Sequence, residues 1–196
     1  MEVVIIFVAF EGPSGSGKST AIEGLKKTLE ERGLKIGVVD TDSGTHRRIL
    51  QKTAKRFFAH SSLRNLIFWI MRFREARAIR KINKMNFDIL FADRYAGTSL
   101  VFSLCSRIPK ALVMWLYSRI NPKPDITFFF NTSLKEMRKR KLSETNKKGS
   151  HGSSLRTIRM YKKVAKDFGW RRISASQSED SIVSECALSI LESMKK

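Results

Sequence analysis

The chain has 196 residues, and its 38 lysines and arginines against 18 aspartates and glutamates give a net charge of +20. This length, with 42% hydrophobic residues, allows a sizeable core and excludes a disordered tail or a disulfide-built miniprotein. Cys105 and Cys186 lie too far apart for a metal-binding motif and form no disulfide framework, which indicates a reducing compartment. The charge predicts an anionic partner without identifying it.

Short apolar runs alternate with longer helical stretches along the chain. The runs predict strands at 3–10, 35–40, 87–93, 125–131 and 170–175, and the stretches between them predict helices at 18–32, 45–58, 61–85, 98–118, 133–143, 153–168 and 179–194. Most runs are continuously apolar, which is typical of strands covered by helices on both faces. The pattern therefore predicts an α/β fold with a parallel sheet of five strands.

Neither apolar stretch predicts a targeting or membrane segment. Residues 1–10 lack a basic region before them and run directly into glycines, so they read as a buried strand. Arg107, Pro109 and Lys110 interrupt the stretch at 100–117, which leaves it too short to span a bilayer. We therefore expect a cytoplasmic protein without a membrane partner.

A phosphate-binding loop follows the first predicted strand and matches G-x-x-x-x-G-K-[ST] in the required strand-loop-helix context. It comprises Gly12, Pro13, Ser14, Gly15, Ser16, Gly17, Lys18, Ser19 and Thr20, which we predict to bind ATP. Backbone N–H groups and the start of the next helix form an anion nest, Lys18 reaches the β- and γ-phosphates, and the Ser19 hydroxyl ligates Mg²⁺. GTPases, ATPases, helicases and small-molecule kinases share this motif, so it does not identify the reaction.

Asp93 and Arg94 end the third predicted strand. In a sheet of this type that strand normally lies beside the first, which places Asp93 near the metal and the phosphates. Its carboxylate suits Mg²⁺ binding and catalysis, and Arg94 suits bidentate binding of an acceptor phosphate. A salt bridge between the two residues is the alternative interpretation.

Phe68 and Arg72 share one face of the predicted helix at 61–85. An aromatic ring with a guanidinium one turn away can stack on a base and donate to its carbonyl edge. The same spacing is also typical of a core phenylalanine beside a solvated arginine.

The chain resembles the thymidylate kinase family over most of its length. The resemblance is carried by Phe10-Glu11-Gly12 with the phosphate loop, by Asp93-Arg94-Tyr95 followed by Thr98 and Phe102, and by Pro122-Lys123-Pro124-Asp125 before an apolar strand. It implies a three-layer P-loop NTPase fold, in one domain over residues 1–196. It also implies phosphoryl transfer from ATP, with Mg²⁺, to a nucleoside monophosphate such as dTMP.

The resemblance also implies roles for individual residues. Phe68 and Arg72 stand at the family's distances before the signature aspartate, as a base-stacking and a base-reading residue, and Asp42, Arg94 and Phe102 belong to the same substrate site. A lid at about 138–156 supplies a cation to the γ-phosphate. Arg140 matches that role best by its distance from the fourth strand, with Arg138, Lys147 and Arg156 as rivals. Family members commonly form homodimers, and the apolar stretch at 100–117 suits such an interface.

Two departures from the family limit the substrate assignment. Ser14 occupies a position that is usually acidic and helps to hold the acceptor's sugar hydroxyl. After the second strand the chain lacks the arginine that grips the acceptor phosphate, although Asp42 preserves an acidic element. Arg47 or Arg48 is a candidate substitute.

The sequence therefore favours a nucleoside-monophosphate kinase with Lys18, Asp93 and Arg140 as its catalytic residues. A kinase of a nucleoside or another small molecule is the alternative within enzymes, because the missing arginine would permit an acceptor without a phosphate. A P-loop protein that binds nucleic acid is a less favoured alternative, motivated by the charge.

Overall fold

One parallel sheet organises the fold. A computed structural model describes residues 5–40, 87–105, 109–137 and 155–195, together with Phe73, Ala76, Arg77 and Ile79. Its strands are β1 (Ile6–Glu11), β2 (Ile36–Asp40), β3 (Ile89–Asp93), β4 (Ile126–Asn131) and β5 (Arg171–Ser174). They lie side by side in the order β2-β3-β1-β4-β5, and every neighbouring pair is parallel.

Helices cover both faces of the sheet. They are α1 (Lys18–Glu30), α2 (Ala96–Leu104), α3 (Lys110–Ile120), α4 (Leu155–Asp167) and α5 (Glu179–Met194). On one face α1 and α5 pack against the sheet, with Leu25 and Ile190 in one cluster with Phe10 and Phe128. On the other face α2, α3 and α4 form a second cluster around Phe129. This is the predicted α/β fold in three layers.

The elements follow from their local sequences. All six residues of β1 are buried, as an apolar strand covered on both faces requires. Helix α4 buries Thr157, Ile158, Tyr161, Val164 and Ala165, a spacing of three and four residues that directs one stripe toward the sheet. Ser178 caps the start of helix α5, and its hydroxyl accepts a hydrogen bond from the Ser181 N–H at 3.3 Å.

The structure corrects one predicted helix. The single helix predicted at 98–118 is replaced by two helices, α2 ending at Leu104 and α3 starting at Lys110. Helix α3 starts after Pro109, whose φ is −55° and which has no N–H to continue an earlier helix. The helices predicted at 18–32, 153–168 and 179–194 and all five strands are present within a few residues of their predicted ends.

Other predicted elements lie wholly or largely outside the described residues. They are the helices at 45–58, 61–85 and 133–143 and the lid at 138–156. Within 61–85, Phe73, Ala76, Arg77 and Ile79 are helical, and Ala76 and Ile79 are buried. No helix in the described ranges is long and apolar enough to cross a membrane.

Candidate active site

The phosphate loop joins β1 to α1, and its first glycine is required by the backbone. Gly12 has a φ of 149°, and a Cβ at this position would lie 2.9 Å from the carbonyl oxygen of Phe130 in β4. That oxygen belongs to the central sheet and cannot move aside. Any side chain at residue 12 would therefore displace the start of the loop.

Lys18 is the first residue of α1 and folds back over the loop. Its side chain is buried, and Nζ donates to Gly12 O at 3.2 Å, Pro13 O at 2.9 Å and Ser16 Oγ at 3.2 Å. These oxygens hold the ammonium group inside the loop, where a phosphate would meet it. The geometry suits anion binding by a desolvated cation.

Ser19 and Asp93 meet at the carboxyl edge of the sheet. The Ser19 hydroxyl donates to Asp93 Oδ2 at 2.9 Å, although 74 residues separate them in the chain. They meet because β1 and β3 are neighbours, with Phe10 paired to Asp93 in the register. A hydroxyl and a carboxylate are oxygen ligands of the kind that Mg²⁺ prefers, so this pair fits the predicted metal site.

Arg94 adopts a backbone conformation that is unusual for its residue type. Its φ is 58°, in the left-handed region, and it is the one non-glycine residue with positive φ among those described. Its N–H donates to Phe10 O at 3.0 Å, and Nη1 donates to Gly12 O at 3.2 Å. The Gly12 carbonyl thus accepts from both Lys18 and Arg94. A strained residue held against the phosphate loop is typical of a functional site.

A buried hydrogen-bond chain lies behind the loop. Thr98 Oγ1 donates to Glu11 Oε2 at 2.6 Å and lies 2.9 Å from Tyr161 OH. Because the single threonine proton is used on the carboxylate, Tyr161 donates to Thr98. Glu11, Thr98 and Tyr161 are all buried. Burial raises the pKa of the nearby Tyr117 hydroxyl, and the negative charge of Glu11 raises it further.

The sequence did not predict this series of hydrogen bonds, although one residue in it indicated that such partners must exist. Glu11 is a carboxylate at the end of an otherwise apolar strand, and a buried glutamate requires hydrogen-bond partners. The partners themselves lie 87 residues from Glu11, at Thr98, and a further 63 residues along, at Tyr161. No local pattern could identify them.

The predicted site residues divide into those that the structure describes and those that lie outside the described residues. The phosphate loop, Asp93 and Arg94 come together at one edge of the sheet, and Phe102 lies on α2 with 44% of its side chain exposed. Asp42, Phe68, Arg72 and Arg140 lie outside the described residues.

Comparison with known proteins identifies one family. The sequence model of the family described as "Thymidylate kinase" matches residues 10–186. The chain is similar to thymidylate kinase from Fervidobacterium nodosum, with 30% identity over 83% of this chain and 86% of that protein. It is also similar to thymidylate kinase from Prochlorococcus marinus, with 26% identity over 96% and 97%, and to that of Bacillus velezensis, with 23% identity over 97% of both chains.

Proposed function

This chain belongs to the thymidylate kinase family and is a nucleoside-monophosphate kinase, and we propose that it phosphorylates dTMP to dTDP at the expense of ATP. An oxygen of the acceptor phosphate forms a bond to the γ-phosphorus of ATP, and the bond from that phosphorus to the β–γ bridging oxygen breaks. The products are dTDP and ADP. Little covalent chemistry is required of the protein, which positions the two substrates and neutralises their charge.

The observation that carries this proposal is the placement of Lys18, Ser19, Asp93 and Arg94 around one short stretch of loop. Lys18 Nζ and Arg94 Nη1 both donate to Gly12 O, each at 3.2 Å, so two cations converge on the same carbonyl. In the proposed reaction Lys18 binds the β- and γ-phosphates of ATP within the loop. Arg94 binds the acceptor phosphate from the opposite side, in the bidentate manner that a lysine cannot reproduce.

Ser19 and Asp93 are the residues that would hold Mg²⁺. Their oxygens already lie 2.9 Å apart at the loop. A bound magnesium ion would neutralise charge on the phosphates of ATP. The Asp93 carboxylate has a second role in this proposal, since it orients the attacking acceptor phosphate from the end of β3.

Contacts to the base and sugar come from residues assigned by family resemblance. We propose that Phe68 stacks on the base, that Arg72 donates to its carbonyl edge, and that Asp42 and Phe102 complete the substrate site. The exposure of the Phe102 ring on α2 leaves it available for such a contact. We further propose that Arg140, in a lid at about 138–156 of a single domain, supplies a cation to the γ-phosphate. The homodimer and the cytoplasmic location stay predictions.

A coupled ADP-release assay with dTMP, dUMP, dCMP, dGMP, dAMP and thymidine tests the proposal. We expect the highest kcat/KM with dTMP. Turnover of thymidine in preference to every monophosphate would instead support a nucleoside kinase, and absence of turnover with all six acceptors would exclude both.

Substitution of the loop lysine provides a matched test of the site. Lys18→Ala should lower kcat by at least about a hundredfold, because a cation aimed at the transferring group is lost. Lys26→Ala removes the same charge from the middle of α1, where Lys26 only pairs with Glu30 at 3.7 Å. That variant should retain wild-type activity.

A further inference from the structure

The charge of the described helices is distributed unevenly between the two faces of the sheet. On one face, α3 and α4 carry seven lysines and arginines against a single carboxylate, Asp167. On the opposite face, α5 carries four carboxylates and no lysine or arginine. Helix α1 adds two lysines and two glutamates beyond the loop residue Lys18. The described part of the chain is therefore electrically polarised, with its positive side on the face formed by α3 and α4.

Helix α4 concentrates most of this charge in one band. Its five cations all face solvent, and within the described part of the chain none of them forms an ion pair. At 3.6 residues per turn they fall within an arc of about 120°, opposite the buried stripe. We call this surface the α4 cationic band: Arg156, Arg159, Lys162, Lys163 and Lys166.

The α4 cationic band leads away from the proposed active site. Helix α4 precedes β5 and follows β4, and these two strands are parallel. The helix must therefore run from the carboxyl edge of the sheet, where the phosphate loop lies, to the amino edge. From Arg156 to Lys166 it rises about 15 Å. The cations near its end are consequently too distant to contact substrates bound at the phosphate loop.

Exposed apolar side chains lie on α3, another helix of the same face. Leu112 and Trp115 on α3 are 46% and 57% exposed, one helical turn apart. Helices α3 and α4 share one apolar cluster, and Tyr117 packs edge-on against Phe168, just after α4, with ring centroids 5.2 Å apart. An exposed tryptophan on the same face of the sheet as a cationic helix supplies the two elements of a surface that binds single-stranded nucleic acid.

We propose that the α4 cationic band, with Trp115, binds single-stranded nucleic acid without sequence specificity, which assigns the exposed ring of Trp115 to this partner and not to the homodimer interface predicted at 100–117. The cations contact phosphates, and Trp115 stacks on an unpaired base. The convex shape of the α4 cationic band favours single-stranded nucleic acid over an anionic membrane as its partner. A flat lipid surface meets a helix along a narrow line, whereas a flexible strand can follow a band that curves over about 120°. The apolar stripe of α4 is also buried against the sheet, so this helix has no apolar face to insert into lipid.

Fluorescence anisotropy with a labelled oligothymidylate of about 20 nucleotides tests the proposal. Saturating MgADP and dTMP together keep the oligonucleotide out of both nucleotide sites. We expect affinity on the order of 1 to 10 µM at low salt, and a log–log salt dependence of about −0.7 for each phosphate neutralised. The proposal predicts weaker binding of a duplex of equal length, because paired bases cannot stack on Trp115.

Charge-matched variants localise the surface. The triple variant R159Q/K163Q/K166Q should weaken binding at least about tenfold and reduce the salt slope by about 2. The triple variant K26Q/K27Q/R32Q removes the same charge from α1 and its following turn, and should bind like the wild type. W115A should weaken binding by about fivefold or more, whereas W115F should retain most of it. Both triple variants should keep wild-type kinase activity.

Several results would overturn the proposal. Equal losses in the two triple variants would mean that net charge alone attracts the oligonucleotide. Tighter binding of duplex than of single strand would exclude stacking on Trp115. Preferential binding to phosphatidylserine vesicles, with no oligonucleotide binding, would assign the surface to a membrane. Loss of kcat/KM for dTMP in R159Q/K163Q/K166Q alone, without oligonucleotide binding, would assign it to substrate steering.

Discussion

Thr98 Oγ1 donates a hydrogen bond of 2.6 Å to the buried carboxylate of Glu11, the residue immediately before the phosphate loop. The bond ties the first turns of α2 to the end of β1. Because Tyr161 donates to the same threonine oxygen at 2.9 Å, α4 is joined to this point as well. Three elements thus converge on the residue that precedes Gly12.

Removing the threonine hydroxyl should destabilise the protein strongly. Thr98→Val takes a donor from a buried carboxylate, and we expect it to lower the free energy of unfolding by about 2 to 3 kcal/mol in urea titrations. Thr98→Ser keeps the hydroxyl and should lose less than about 1 kcal/mol. Tyr161→Phe removes the bond between Tyr161 and Thr98 and should lose about 1 kcal/mol. A Thr98→Val protein as stable as the wild type would contradict this account.

Gly12→Ala should disrupt the loop far more than the same change at another glycine with positive φ. We expect a loss of about 2 to 4 kcal/mol in the free energy of unfolding, because the new Cβ meets Phe130 O at 2.9 Å in addition to the backbone strain. Kinase activity should fall with it.

Gly33→Ala is the matched control for this prediction. Gly33 has a φ of 82° but nothing within 4 Å of its would-be Cβ. This variant carries the backbone strain alone, about 1 kcal/mol, and should keep its activity. Equal effects of the two variants in urea unfolding would show that contact with β4 is unimportant.

Arg94→Lys should impair acceptor binding selectively. It preserves the positive charge but cannot make two parallel hydrogen bonds to a phosphate. We expect KM for dTMP to rise about tenfold, with KM for ATP changed less than about twofold. Steady-state kinetics at fixed saturating cosubstrate would measure both values, with Arg119→Lys on the exposed surface of α3 as the control. A rise confined to the KM for ATP would refute the proposed role of Arg94.

Cys186 should make stability depend on alkaline pH. Burial, followed by the charge of Glu185, raises the pKa of this thiol to about 12. Above the ordinary thiol pKa of about 8.5, the unfolded chain releases a proton that the native protein retains. The free energy of unfolding therefore falls as pH rises, by up to about 1.4 kcal/mol per pH unit from this group.

Comparison with Cys186→Ala isolates that contribution. The variant should be about 1 kcal/mol less stable than the wild type near neutral pH. The difference should fall to about zero near pH 9 and reverse sign by about pH 10, since only the wild type loses stability through this thiol. Other titrating groups cancel between the two proteins. A stability difference that stays constant over this range would show that the thiol does not titrate as described.

Strands and the phosphate loop could be predicted because their signals are local. Each strand is a continuous apolar run covered on both faces, and the loop motif needs only nine consecutive residues. The helix break before α3 is not evident from the apolar pattern, because that pattern continues across Pro109. The order of the strands explains why Asp93 joins the candidate site. The pairing of Phe10 with Asp93 brings Asp93 to Ser19 at the carboxyl edge of the sheet.

Long-range polar contacts and backbone strain could not be predicted. The bonds of Thr98 to Glu11 and Tyr161 depend on how α2 and α4 pack on the sheet, and the sequence contains no periodic signal for them. The positive φ of Arg94 likewise accompanies long-range hydrogen bonds to the end of β1 and to the loop. The amino-acid type gives no reason to expect it.

The three oxygens that accept hydrogen bonds from Lys18 also have a consequence for product release. If Lys18 binds the phosphates as proposed, then its ammonium group can return to Gly12 O, Pro13 O and Ser16 Oγ when a nucleotide leaves, so that the buried charge stays compensated. Departure of the phosphates is then an exchange of one set of ligands for another. Such an exchange avoids the desolvation penalty of an uncompensated charge, which would otherwise slow product release. The loop thus contains its own hydrogen-bond acceptors for Lys18, and these favour release of the nucleotide over its tight binding.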